Sequence, residues 1–175
     1  YYILSERKQN KKIDKRAPVI VGVGDLVDRS KEDGLNPQEL LAKACEHAIQ
    51  DSGIEGLNKH IDYIGVVRFT VDFLTATNQS NFQYSNFPRT LANKLDISTK
   101  HEVYAPMGGN SPQVLLEDAL VKISAGETNC ALLTGGEALQ TMIAKLKAGK
   151  SLDWLDEPGG SPEMIGNNDI GFSDH

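Results

Sequence analysis

Tyr104-Ala-Pro-Met-Gly-Gly-Asn-Ser-Pro-Gln113 constrains this chain more than any other stretch, because three kinds of local structure must meet inside it. A β-type run, residues 101 to 105, leads in. Val114, Leu116, Ala119, Leu120 and Ile123 then recur at helical spacing. Ser111 followed by Pro112 reads as a helix start, with Ser as N-cap and Pro at the first helical position, where its missing N–H costs nothing. Gly108 and Gly109 permit a sharp turn and close approach of backbone to a ligand. The stretch therefore predicts strand, tight turn and helix N-terminus. Outward N–H groups at such a terminus suit an anion or a developing oxyanion. The same pattern also serves an ordinary β-to-α loop.

The rest of the chain repeats that grammar. Ala17–Gly24 is a continuous apolar run ended by glycines, which predicts a strand buried on both faces. Asn36-Pro37-Gln38-Glu39 is a helix start: Asn caps, Pro takes the first position, and Glu reaches back as in a capping box. That helix carries Leu41, Ala44, Cys45, Ala48 and Ile49 on one stripe and stops at Gly53. Residues 61 to 69 read as a second strand, residues 88 to 95 as a short helix, and Glu102–Ala105 as the third strand. The segment between the second strand and that helix, with Asn78, Gln79, Ser80, Asn81 and Asn86, reads as a long loop. The central helix ends at Gly126, residues 129 to 134 form a fourth strand, and Gly135-Gly136-Glu137 turns into a helix from Ala138 to about Ala148. Alternation of this kind implies an α/β fold with a mostly parallel sheet and helices on its faces.

Composition narrows the class. The chain has 175 residues and a net charge of −6, which disfavours nucleic acid as a partner. No run is long enough to predict a membrane span. Residues 1–16 carry six basic and two acidic side chains and read as a basic flexible lead. Residues 17–150 form the folded domain, and residues 151–175, rich in Gly, Pro, Asp and Asn around Trp154, read as the start of a loop insertion that the chain cuts short. Cys45 and Cys130 show no metal-ligand spacing and fall within apolar patterns, which predicts two buried thiols and an intracellular compartment.

Taken together, Pro18–Gly24, Asn36–Leu40, Ile61–Ile64, Gly108–Gln113 and Leu133-Thr-Gly-Gly-Glu-Ala138 resemble the thiolase superfamily. The likeness covers residues 17 to 175 and is strongest to divergent acetyl-CoA acetyltransferase-like members near the sterol-carrier-type thiolases. It implies one half of a two-half fold, each half a five-stranded mixed sheet, with the second half following this one. It also implies an acyltransferase handling acyl-CoA thioesters, with CoA entering only as part of the substrate and no separate cofactor or metal.

In that family the turn before the central helix carries a nucleophilic Cys, where a helix N-terminus favours the thiolate. Aligned on Gln113, the Cys position falls on Gly108. No catalytic residue is therefore assigned. Gly108, Gly109, Asn110 and Ser111 are the expected substrate-binding residues, with Ser111 read as a cap and Glu137 as structural support. The alternative is a non-catalytic acyl-CoA or lipid-binding relative, or a scaffold that forms a homodimer through an exposed Glu102–Ala105 edge. A cytoplasmic location is expected, with mitochondrion or peroxisome open to a eukaryotic protein.

Overall fold

The computed structural model describes residues 16–72 and 84–166. Its centre is a four-stranded, all-parallel sheet in the order β3-β1-β2-β4, formed by β1 (Tyr63–Val67), β2 (His101–Ala105), β3 (Ala131–Thr134) and β4 (Glu163–Met164). Helices among the described residues accompany it: α1 (Pro37–Asp51), α2 (Phe87–Lys94), α3 (Ser111–Ala125) and α4 (Leu139–Lys147). The α/β class, the parallel sheet and the order of these elements are as the alternation predicts. The basic lead before Arg16, the loop residues Asn78 to Asn81, and His175 lie outside the described residues.

Local chemistry explains the helix ends. Asn36 Oδ1 accepts from Glu39 N at 2.8 Å, and Asn36 N donates to Glu39 Oε2 at 3.3 Å, so both arms of the capping box are present. Gly126 closes α3 at φ 77°, a left-handed conformation that costs glycine least. It lets Glu127 N return to Lys122 O at 2.9 Å.

Helices cover both faces of the sheet. One face packs Ile64, Val66 and Tyr104 against Leu41 and Cys45 of α1, Phe87 and Leu91 of α2, and Trp154. The other packs Tyr63, Val103 and Ala105 against Leu115 and Ala119 of α3. Gly65 makes the second seat possible: a Cβ there would lie 2.7 Å from Leu115 Cδ1. Residues 151–166 belong to the fold. Gln38 Nε2 donates to Trp154 O at 2.6 Å, and Thr90 Oγ1 donates to Asp156 Oδ1 at 2.9 Å.

Two buried carboxylates tie the frame. Asp62 accepts from Lys100 Nζ at 2.8 Å and from the backbone N–H groups of Asn129 and Cys130 at 2.9 and 3.3 Å. Burial works to raise its pKa, yet these donors together hold the carboxyl below its ordinary range. Glu102 is opposed by burial in the same way, and Thr99, Asn86 and Arg89 hold it low.

Three expectations are corrected. Ala17–Gly24 is not a strand: Val19, Ile20 and Val23 are 77, 79 and 68% exposed, and the run lies along α1. Gly22 and Gly24 sit so close to the α1 backbone that a Cβ would meet Ala48 O at 2.2 Å and Ala44 O at 2.4 Å, and Val23 N bonds Asp51 Oδ2 at 2.9 Å. Helix contact thus replaces the sheet contact that an apolar run alone suggests. The exposed edge expected at Glu102–Ala105 is covered, because Val103 and Tyr104 pair with Glu163 and Met164. Cys130 is partly rather than fully buried, since it stands just before β3.

Candidate functional site

In a parallel sheet the loops that leave the carboxyl ends of the strands gather on one side, and ligands bind there. Three such loops meet in this chain. After β1 come Arg68, Phe69 and Thr70; after β2, Pro106 to Asn110; after β3, Gly135 to Glu137.

The β2–α3 turn departs from the expected cap. The helix begins at Ser111, and Asn110 is the N-cap with no side-chain cap bond. Asn110 already has near-helical φ −94° and ψ −9°, which draws Ser111 into the first turn, where its N–H donates to Gly108 O at 3.1 Å. Neither Gly108 nor Gly109 has a positive φ, so the turn does not need glycine for its backbone shape. What glycine leaves there is space. A Cβ on Gly109 would meet nothing within 4 Å, and one on Gly108 would approach only the side-chain oxygens of Asn110 and Ser111, each at 3.2 Å.

Of the four expected site residues, Gly108, Gly109 and Asn110 are exposed at the tip and Ser111 is buried beneath it. The N–H groups of Gly109 and Asn110 make no hydrogen bond among the described residues. They stand at the positive end of a 15-residue helix.

Among the described residues no base or thiol serves this turn. His47 Nδ1 lies 2.9 Å from Asp25 O, His101 Nδ1 lies 2.8 Å from Glu163 Oε1, and His60 is exposed on a separate loop. Cys45 is buried in α1 against Thr134, and burial pushes its thiol up to about 11, opposite to the shift a nucleophile needs. Cys130 precedes β3, at the far end of that strand from the turn, and burial raises its pKa too. No group of His, Cys, Asp and Glu suited to a metal occurs among the described residues.

Thr70 and Glu137 bind the three loops together. Thr70 N donates to Glu137 Oε2 at 2.7 Å, and Thr70 Oγ1 lies 3.7 Å from Met107 Sδ. Glu137 thus acts as the support expected of it, although it precedes α4 rather than lying in its first turn. Arg68 pairs with Asp72 at 3.0 Å, and its guanidinium carbon lies 4.9 Å from the centre of the Tyr104 ring. Tyr104 Oη donates to the same Asp72 carboxylate at 2.9 Å, and burial with that carboxylate keeps the phenol protonated. The i, i+4 spacing of Arg68 and Asp72 is visible in the sequence; the contacts of Thr70 are not.

A cavity of about 450 Å³ opens beside these loops. Val67, Pro112, Leu115 and Leu133 wall it, Thr134, Gly135 and Gly136 close it, and among the described residues Arg68 is the single charged residue that lines it. A second cavity of about 310 Å³ lies across the Gly135–Gly136 turn and includes Asp25 and Glu137. Pro112 is the nearest of the turn residues to line either one; Gly108 to Ser111 line neither.

Among solved structures the chain is similar to the crystal structure of a monomeric SCP2-thiolase like protein type 1 from Mycobacterium smegmatis. The two are 30% identical, with a TM-score of 0.54, over 71% of this chain. The chain is a member of the thiolase-like superfamily. It spans about a quarter of that relative, 24% of its length. No family model and no curated protein matches the chain. The thiolase-like assignment therefore rests on the structural comparison together with the sequence motifs. Among the described residues no helix of this thiolase-like chain is long and apolar enough to cross a membrane.

Proposed function

We infer that this chain belongs to a thiolase-like protein that binds an acyl-CoA thioester at the β2–α3 turn without forming a cysteinyl intermediate. The observation that carries this reading is the turn itself. Two unpaired N–H groups, of Gly109 and Asn110, stand at a helix N-terminus with open space before them. A thioester carbonyl oxygen is a neutral acceptor that gains negative charge when attacked, and both donors and helix dipole favour it. The resemblance puts the family nucleophile at position 108, where this chain has glycine. Both thiols lie elsewhere, with their pKa values raised. Ser111 is a poor substitute, because it is buried and no histidine among the described residues contacts it.

Acyl transfer by another nucleophile is not part of this reading; binding is. Two unpaired cysteines agree with a reducing, intracellular setting. A homodimer through β2 is the weaker alternative, since a second copy would have to displace Glu163 and Met164 from that strand. Calorimetric titration with CoA and acetyl-CoA tests the proposal. Binding of acetyl-CoA, with an unchanged intact protein mass afterwards, is the expected result. Absence of binding at millimolar ligand overturns it.

A further inference from the structure

We propose that residues 163–166 form a strap that holds the β2–α3 turn in place, with Glu163 as the positioning residue at its far end. The coupling between strap and turn is a property of this chain alone; it rests on the acyl-CoA reading only for what the turn binds.

The strap runs along β2 from its start to the turn. At the start, Glu163 stands between two elements: Oε1 lies 2.8 Å from His101 Nδ1 on β2, and Oε2 lies 3.7 Å from Lys122 Nζ on α3. Asp118 and Tyr63 complete that group, since Lys122 Nζ pairs with Asp118 at 2.8 Å and Tyr63 Oη donates to Asp118 at 2.8 Å. The strap then pairs with β2 at Val103 and Tyr104, and Ile165 N reaches Tyr104 O at 3.4 Å. At the other end Gly166 turns at φ 77°, and a Cβ there would stand 3.1 Å from Pro106 Cδ and 3.7 Å from Val114 Cγ1. Those two residues bracket the turn: Pro106 leads into it from β2, and Val114 N bonds back to Asn110 O at 3.1 Å. The strap is thus clasped by Glu163 at one end and seated against the base of the turn at the other. Glu163 and Met164 are exposed, and Ile165 packs on the apolar cluster under α3. A short, exposed ladder of this kind opens locally more readily than the core. When it opens, Gly166 leaves Pro106 and Val114, and the N–H groups of Gly109 and Asn110 lose a support that fixes their direction. Groups fixed in advance reduce the ordering cost of binding, so Glu163 acts on the turn without touching it.

Amide hydrogen exchange read residue by residue by NMR, at one fixed pH, tests the coupling. Glu163→Gln removes the charge and keeps the shape. It should speed exchange at Ile165 by about two- to fivefold, the range set by a half-exposed ion pair. The amides of Ser111 and Val114, which bond Gly108 O and Asn110 O, should speed with it. Ile97 and Met142, which bond Ala92 O and Ala138 O and belong to the cluster on the opposite face of the sheet, should keep their rates. Gly166→Ala strains the other end of the strap, where φ is positive, and should speed the same three amides. By reciprocity, acetyl-CoA bound at the turn should slow Ile165 in the unaltered protein. A faster Ile165 with Ser111 and Val114 unmoved overturns the proposal. So does an unchanged Ile165, or a rise shared equally by Ile97 and Met142. If acetyl-CoA binds and slows Ser111 but not Ile165, the strap coupling fails alone. If both variants behave as described and acetyl-CoA does not bind, the coupling stands and the thioester reading fails.

Discussion

Gly65→Ala probes the seat that positions the whole site. Gly65 lies in β1 beneath α3, and the added Cβ would stand 2.7 Å from Leu115 Cδ1 and 2.9 Å from Tyr63 Cε1. Leu115 is 1% exposed and Tyr63 fully buried, so the added methyl forces both side chains to shift. Overpacking of this kind costs about 1–3 kcal/mol. Replacing a strand glycine returns about 0.5–1 kcal/mol of backbone entropy. A net loss of ~1–2 kcal/mol follows, which for a chain of this size lowers Tm by roughly 2–8 °C. Leu115→Ala alone should cost about 2–5 kcal/mol, from lost burial and the cavity left behind. In that background the new methyl group enters vacated space, and Gly65→Ala should become neutral or stabilising. Urea denaturation of the four proteins gives a coupling of about 1–2 kcal/mol if α3 is seated as described. Strict additivity, or a neutral Gly65→Ala in both backgrounds, refutes the packing of α3 on β1.

Two further outcomes follow from other parts of the chain. Gly108→Cys should fold, since its Cβ meets only two side-chain oxygens at 3.2 Å and its φ is not positive. Its thiol, at a helix N-terminus, should fall below the usual value of about 8.5 and react with iodoacetamide well before Cys45, which is held near 11; equal rates would contradict the proposed polarity of the turn. Asp62 and Glu102 have folded pKa values below their ordinary 3.8 and 4.5, so the stability they contribute is complete above those values and is lost as pH falls through the folded ones. Asp62→Asn should therefore flatten the loss of Tm on acidification below about pH 4.5; an unchanged acid slope in both Asp62→Asn and Glu102→Gln would contradict the assignment.

The sequence was most readable where structure is local. Asn36, Pro37 and Glu39 specify the α1 start within four residues, and Gly126 specifies the α3 end, because both signals are side-chain or backbone bonds to near neighbours. The turn at 108–111 stands between strand and helix as its residues predict, but the cap is Asn110 rather than Ser111. Whether Ser111 or Asn110 stands at the boundary depends on the φ and ψ of Asn110, which no residue pattern encodes. Ala17–Gly24 failed for a related reason. An apolar run says that a segment seeks contact, not with what, and here two glycines bring it onto the α1 backbone. Arg68 and Thr70 escaped notice because the Thr70 partners stand 37 and 67 residues away. Arg68 needed the fold to show its place beside Tyr104.

One measurement bears most directly on the claim of a thiolase-like binding turn without its thiol: acetyl-CoA titration followed at once by intact mass analysis. The account predicts saturable binding, no mass increase, and loss of binding when Gly109→Val fills the open space before the turn. No binding at millimolar acetyl-CoA, or an acetyl group found on Cys45 or Cys130, would contradict it.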